Sequence, residues 1–366
     1  MSGNLITYKP RVLVIGIDDI IKTKTSEKKH IELTYIYNLE SWMHLFEADY
    51  VVYQKISETM ISRYDIIICT SLVLLDEHYS ARVSHIASAK LRHVKWVTVF
   101  EGMIDIYHNT LKHLKRMLDS SDLVNVINRS TLAPISSITE SKCESLGYPF
   151  PIMNISRFRS EIAIREKMLF ICNPLLNAAS EVRIAANLNI PTIGFEQKVA
   201  KGLIPKFRSI KRYREELNEL EGRVPGTISS LFSRNKFIDL ARARYQLSNL
   251  VINPDLAPEK HFRLYSRYFV WISTSPLANN DANVLYAASL GIPIITTKSS
   301  NLGAELFPYT CISNEKAYDE AGEIISNLLN DKSYYKQICN FPASMVEPFR
   351  GVNQKVRMLK LLNYRA

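Results

Sequence analysis

Three stretches of the chain gather side chains suited to chemistry on a hydroxyl and a phosphate. Glu101 directly follows the apolar run Val94–Phe100, so it stands at the exit of a buried strand. An aliphatic hydroxyl is a weak nucleophile and needs a base within hydrogen-bond reach, a task such a carboxylate can perform. Asp105, four residues on, is the alternate base, and either group could instead cap the next helix. Asn279, Asn280, Asp281 and Asn283 crowd donors and acceptors into one polar stretch, as a polyhydroxylated ligand requires, although a polar turn has the same composition. Lys298, Ser299, Ser300 and Asn301 follow another apolar run, where a hydroxyl and backbone N–H groups can cradle phosphate. Asp18 and Asp19 follow the first apolar run and are read either as ligand contacts or as a turn cap. Asn173 and Asn253 close two further runs.

Other chemistries have no carrier. There is no GxxxxGK[ST] loop and no GxGxxG, which argues against ATP hydrolysis and dinucleotide redox chemistry. Eight histidines lack HxxxH or HExxH spacing, so no fixed metal site is expected. The five cysteines, Cys69, Cys143, Cys172, Cys311 and Cys339, contain no CxxC and are read as reduced thiols of a cytoplasmic protein. The N-terminus has no signal-peptide layout, and no apolar run reaches the roughly 18 residues of a membrane span. We expect a monomer without a membrane partner.

Charge supplies a partner class. The net charge is +10, which favours a polyanion. Between Lys198 and Arg244 twelve Lys/Arg stand against five Asp/Glu. Either this is a solvated helical surface or it contacts a phosphate backbone through Lys206, Arg208, Lys211, Arg212 and Arg214.

These groups need elements to position them. Apolar β-branched runs at Arg11–Ile17, Asp65–Thr70, Val94–Phe100 and Leu123–Asn128 alternate with helical patterns, the rhythm of a doubly wound parallel sheet. Gly147–Arg159, GYPFPIMNISRFR, breaks the rhythm and reads as a linker. A second series follows: Met168–Cys172, Thr192–Phe195, Leu250–Asn253, Phe269–Thr274, Ile292–Thr297 and Thr310–Ser313. In Phe269–Pro308, Ala287, Ala288 and Ser289 let a helix lie close to the sheet, and Gly291 ends it. With 366 residues, the expectation is an α/β protein of two Rossmann-like, doubly wound domains facing a cleft. Residues 1–155 form the first and 156–345 the second, with a basic insertion at 198–244. Residues 346–366 form a closing helix that crosses back to the first domain.

Assembled this way, the chain resembles the T-even phage DNA glucosyltransferases of the hydroxymethylcytosine DNA β-glucosyltransferase type, which have the GT-B fold. The resemblance rests on YDIIICTS, KWVTVFEG, YPFPIMNISRFRS and EKMLFICN. It continues through IPTIGFE and from EKHFRLYSRYFVWIS through ANNDANVLYAASLGIPIITT to YTCISNEKAYDEAGEIISNLLNDKSYYKQI. It implies transfer of a sugar from a UDP-sugar donor to a hydroxymethylated base flipped out of double-stranded DNA, with a carboxylate at about Glu101 as base. A loosely held Mg or Mn ion on the donor diphosphate is compatible with it. Two positions depart from the family. The loop in which the family carries diphosphate-gripping arginines is here NPLLNAASE, and Tyr286 stands where the family has a Glu. A glycosyltransferase with a saccharide or lipid acceptor and a non-enzymatic nucleic-acid-binding relative are the alternatives.

Overall fold

The computed structural model describes residues 9–17, 39–102, 104–172, 179–188, 190, 192–195, 250–253, 258–274, 280–298 and 300–364. The apolar runs become two six-stranded sheets, each parallel throughout. The first contains β1 (Val12–Gly16), β2 (Asp49–Val52), β3 (Ile66–Thr70), β4 (Lys95–Phe100), β5 (Leu123–Val126) and β6 (Cys143–Glu144), in the order β2-β1-β3-β4-β5-β6. Parallel strands are covered by helices on both faces, so their side chains are apolar without alternation. β3 illustrates this: every one of its five residues is buried. Leu13, Ile15, Ile67, Trp96, Phe100 and Val124 form one core with Val83, Ile86 and Leu114 from the covering helices Glu77–Ala89 and Leu111–Asp119.

The second sheet contains β7 (Glu166–Ile171), β8 (Thr192–Phe195), β9 (Leu250–Asn253), β10 (Tyr268–Ile272), β11 (Ile294–Thr297) and β12 (Cys311–Ile312). Their order is β12-β11-β10-β7-β8-β9. Read from β9, this is the doubly wound order 3-2-1-4-5-6, which reverses between β7 and β10. An aromatic group seals the β7–β10 seam: Phe170 stacks on Tyr265 at 4.0 Å and meets Trp271 edge-on at 5.2 Å.

The chain divides into two units, Met1–Ile152 with Glu347–Ala366, and Met153–Val346. Within the first, the closing helix Gly351–Leu361 is tied down by Lys355, whose ammonium donates to the Leu45 carbonyl at 3.1 Å. Within the second, the helix Asn280–Leu290 opens at Asn280, inside the stretch expected to be loop. Among the elements the sequence reading did not include are the two-residue strand β6, the helices Leu132–Ile138 and Ala179–Leu188, and the helix Lys332–Met345, which carries Pro342 in its interior.

Gly291 ends Asn280–Leu290 in a left-handed conformation, φ +63°. Its N–H and that of Ile292 return to the carbonyls of Ala288 and Ala287 at 3.1 and 2.9 Å. A Cβ there would lie 2.5 Å from Nε of Arg159, whose guanidinium donates to Asn340 Oδ1 at 2.9 Å. Gly291→Ala therefore carries the left-handed penalty of about 1–2 kcal/mol and also displaces Arg159. Thermal melting should fall by a few degrees; an unchanged melting curve would show that the turn accommodates a side chain.

Candidate active site

In open parallel sheets, ligands gather at the carboxyl ends of the strands, next to the point where strand order reverses. In the first sheet that point lies between β1 and β3. β3 ends in Thr70, and the neighbouring β4 delivers Glu101. The Thr70 hydroxyl donates to Glu101 Oε1 at 2.5 Å. The backbone N–H of Glu101 donates to Ser71 Oγ at 3.0 Å, and the Tyr107 hydroxyl donates to its carbonyl at 2.8 Å. Ser71 and Tyr107 also share a hydrogen bond at 2.6 Å. Glu101 is thus half-buried and held at both backbone and side chain.

Burial raises the Glu101 pKa above the ordinary carboxylate value, while the Thr70 hydrogen bond and the nearby Tyr148 hydroxyl draw it partly back. A carboxylate moved in that direction is a stronger base, which suits deprotonation of a hydroxyl. Asp105 is exposed on the turn Ile104–Tyr107, where its carbonyl accepts from the His108 N–H at 3.4 Å. Glu101 has the network of a positioned base, and Asp105 has none of that network's members as hydrogen-bond partners.

The second sheet brings together a different set at its reversal point. Glu181, on the helix Ala179–Leu188 after β7, is fully buried. Its Oε1 accepts the Thr274 N–H at 2.9 Å, just beyond β10. Thr274 Oγ1 is buried and meets no hydrogen-bond partner among the described residues. Beside it, Asn283 Nδ2 donates to Ser273 Oγ at 3.0 Å. Asp281, in the first turn of Asn280–Leu290, accepts from the Ser300 hydroxyl at 3.0 Å and from the Leu302 N–H at 3.3 Å. Ser300 in turn accepts the Gly303 N–H at 3.0 Å and caps the helix Asn301–Leu306. The two polar stretches after β10 and β11 are therefore bolted together through Asp281 and Ser300. Burial is the leading influence on Asp281 and raises its pKa.

Lys298 is exposed at the end of β11, with its N–H bonded to the Ile312 carbonyl at 3.2 Å. The Tyr286 ring, two turns into its helix, lies 5.1 Å from that of Phe262. Asn253 closes β9, while Asn280 and Asn301 open helices, as backbone positions. Asp18, Asp19, Asn173, Asn279, Ser299 and the basic stretch with Lys206, Arg208, Lys211, Arg212 and Arg214 lie outside the described residues. Among the described residues, no three His, Cys, Asp or Glu converge as metal ligands, and no helix is long and apolar enough to cross a membrane.

Sequence reasoning did not single out Thr70, Ser71, Tyr107 and Tyr148 around Glu101, or Glu181 in the second unit. Glu181 carried a faint signal, being the acidic end of NPLLNAASE after a buried strand.

The Glu101 geometry fixes the sign of a pH effect. Its proton is held more tightly in the folded than in the unfolded chain. Stability therefore falls as pH rises from the ordinary value of 4.5 through the folded pKa. Glu101→Gln keeps the shape and removes that loss, so near neutral pH it should melt at or above the parent's temperature. A drop matching the roughly 1–3 kcal/mol cost of a broken buried hydrogen bond would mean that the carboxylate serves the fold.

No family model matches the chain, and no curated protein matches its sequence. Solved structures do match. An alpha-glucosyltransferase in complex with UDP-glucose and DNA containing an abasic site aligns with a TM-score of 0.59 at 7% identity, over 97% of this chain and 99% of its own. An alpha-glucosyltransferase bound to UDP and a 13-mer DNA containing an HMU base aligns at 0.60 and 9%, over 97% and 100%. Sucrose-phosphate synthase from Thermosynechococcus elongatus aligns at 0.58 and 11%, over 82% of this chain and 73% of its own. Together with the two parallel sheets and their strand orders, these alignments establish that the chain has the GT-B fold, with two Rossmann-like α/β units.

Proposed function

We propose that this chain is a nucleotide-sugar glycosyltransferase that moves a sugar from a UDP donor to the hydroxymethyl group of 5-hydroxymethylcytosine in duplex DNA. The observation that carries this reading is coverage. The alignment spans 97% of this chain and 99% of an alpha-glucosyltransferase solved with UDP-glucose and DNA, against 73% of sucrose-phosphate synthase. The net charge of +10 is in keeping with a polyanionic acceptor.

In this mechanism the second unit holds the donor and the first activates the acceptor. The modified base leaves the stack, because its hydroxymethyl group must reach a protein carboxylate. Glu101 accepts the hydroxyl proton as the oxygen bonds to the sugar's anomeric carbon. The bond from that carbon to the UDP oxygen breaks, and UDP departs with the electron pair. Thr70 orients the carboxylate, and its burial keeps it basic. On the donor side, Lys298 faces the diphosphate, while Asn280 and Asn283 address sugar hydroxyls. Asp281 acts indirectly by fixing the strand exits that carry these residues.

The test is incubation with a panel of UDP-sugars and duplex DNA containing hydroxymethylcytosine, followed by mass analysis of the nucleosides. One donor should give a nucleoside heavier by one sugar, and Glu101→Gln should lower that rate by about 10²–10⁴-fold with DNA and UDP affinity unchanged. Unmodified nucleosides from every donor, with sugar appearing on a sugar-phosphate or glycan acceptor, would select the saccharide reading. Full turnover by Glu101→Gln would move the proton to another acceptor, Asp105 being next.

Donor binding has its own check. Lys298→Ala should weaken UDP affinity by the roughly 1–3 kcal/mol of a charge-assisted contact, measured by calorimetry. An unchanged affinity would place the diphosphate elsewhere.

A further inference from the structure

The exits of β3 and β4, which deliver Thr70 and Glu101, also carry large apolar side chains that water still reaches. Leu75, Ile106 and Leu111 are 45, 44 and 47% exposed. Leu75 ends the turn Ser71–Leu75, Ile106 lies in the turn Ile104–Tyr107, and Leu111 opens the helix Leu111–Asp119. Single exposed aliphatics are ordinary on a protein surface, but three on the exits of two paired strands mark a contact surface.

Their neighbours in sequence hold them in place. Val73, Leu74, Tyr107 and Leu114 are buried in the core of this sheet. The two turns are tied by the Ser71–Tyr107 bond at 2.6 Å, and just beyond them Asn109 Nδ2 donates to Glu77 Oε1 at 2.6 Å. Ile106 is placed most closely. Gly102 follows Glu101 with φ +81°, and a Cβ there would lie 2.8 Å from Ile106 Cδ1. Ile106 therefore lies against the residue next to the proposed base. Its β-branched side chain has few rotamers, so it is presented in a fixed direction.

Charge narrows what can cover these side chains. Glu101 and the exposed Asp105 repel phosphate from the centre of the site. Lys112, exposed one residue after Leu111, has no partner among the described residues, and the first turn of its helix holds no acid. An occupant with apolar faces at its centre and anions at its edge matches this pattern: bases over the aliphatics, phosphate at Lys112. A saccharide would have hydroxyls desolvated against them.

We propose that Ile106, with Leu75 on the adjoining turn, is an apolar wedge that enters the DNA stack and takes the place of the base drawn out to Glu101. The proposal rests on the reading of DNA as acceptor. Aliphatic side chains inserted at a base step offset part of the cost of unstacking. Both are positioning residues, since they meet the stack and not the reacting hydroxyl.

The test compares the parent with Leu75→Ala/Ile106→Ala and with Leu75→Met/Ile106→Met. Two duplexes carry hydroxymethylcytosine, one with guanine opposite it and one with a mismatched adenine. A mismatched base costs less to extrude. The Ala pair should therefore transfer sugar about 10–100-fold more slowly than the parent to the paired duplex, and within about threefold of the parent to the mismatched one. The Met pair should follow the parent on both. A second readout needs no turnover: 2-aminopurine beside the target in the paired duplex brightens when its neighbour leaves the stack. The parent and the Met pair should brighten it, and the Ala pair should leave it near the level of free duplex. Melting temperature and UDP affinity should match the parent in both variants. An Ala pair that keeps the parent's rate on the paired duplex overturns the proposal, as does one slowed equally on both duplexes. Transfer by the parent, with equal brightening by the Ala pair, removes the wedge and leaves the proposed reaction standing. Brightening by the parent that is lost in the Ala pair, without transfer from any donor, does the reverse.

Discussion

The structure is governed by the cost of placing carboxylates at the exits of fully buried parallel strands. A sheet covered on both faces has no room for charge in its interior, so polar chemistry is confined to its edges. Glu101, Glu181 and Asp281 all stand at carboxyl edges, and each is held by hydroxyl or backbone N–H donors. Burial without such partners would leave each group neutral or unfold its surroundings. Burial with them gives fixed carboxylates, and for Glu101 and Asp281 a raised proton affinity.

The two units use this constraint differently. Around Glu101 the partners are hydroxyls: that of Thr70 bonds the carboxylate, and those of Ser71 and Tyr107 bond its backbone, so direction is fixed while the carboxylate can still gain and lose a proton. Around Asp281 the partners are a helix cap and a backbone N–H, so the carboxylate serves as a clamp between two strand exits. The first arrangement fits a base, and the second fits a scaffold for neighbouring ligand-binding side chains. Gly291 belongs to the same construction, since its left-handed turn returns the chain from the clamped helix towards β11.

The strands were legible in the sequence because runs such as Ile66–Thr70 are apolar at every position, a pattern that only doubly covered strands require. Glu101 was legible for a related reason: a carboxylate directly after such a run must sit at the sheet edge. Its partners were not, because Thr70 and Ser71 lie 31 and 30 positions away and only the β3–β4 pairing brings them near. The helix Lys332–Met345 was hidden by Pro342, a residue that ordinarily interrupts a helix. Asp281 was grouped with the asparagines of a polar loop, whereas its role depends on Ser300, 19 residues on. Glu181 was hidden because its partner, the Thr274 N–H, lies 93 residues on and only the β7–β10 pairing brings the two together.

The pH profile of kcat/KM for sugar transfer, recorded for the parent beside Glu101→Gln, tests the central claim most directly. A base held by burial should give an acidic limb above the ordinary carboxylate value of 4.5, and that limb should disappear in the variant. A limb at or below that value, or one that survives in Glu101→Gln, would contradict the assignment of Glu101 as the group that takes the proton.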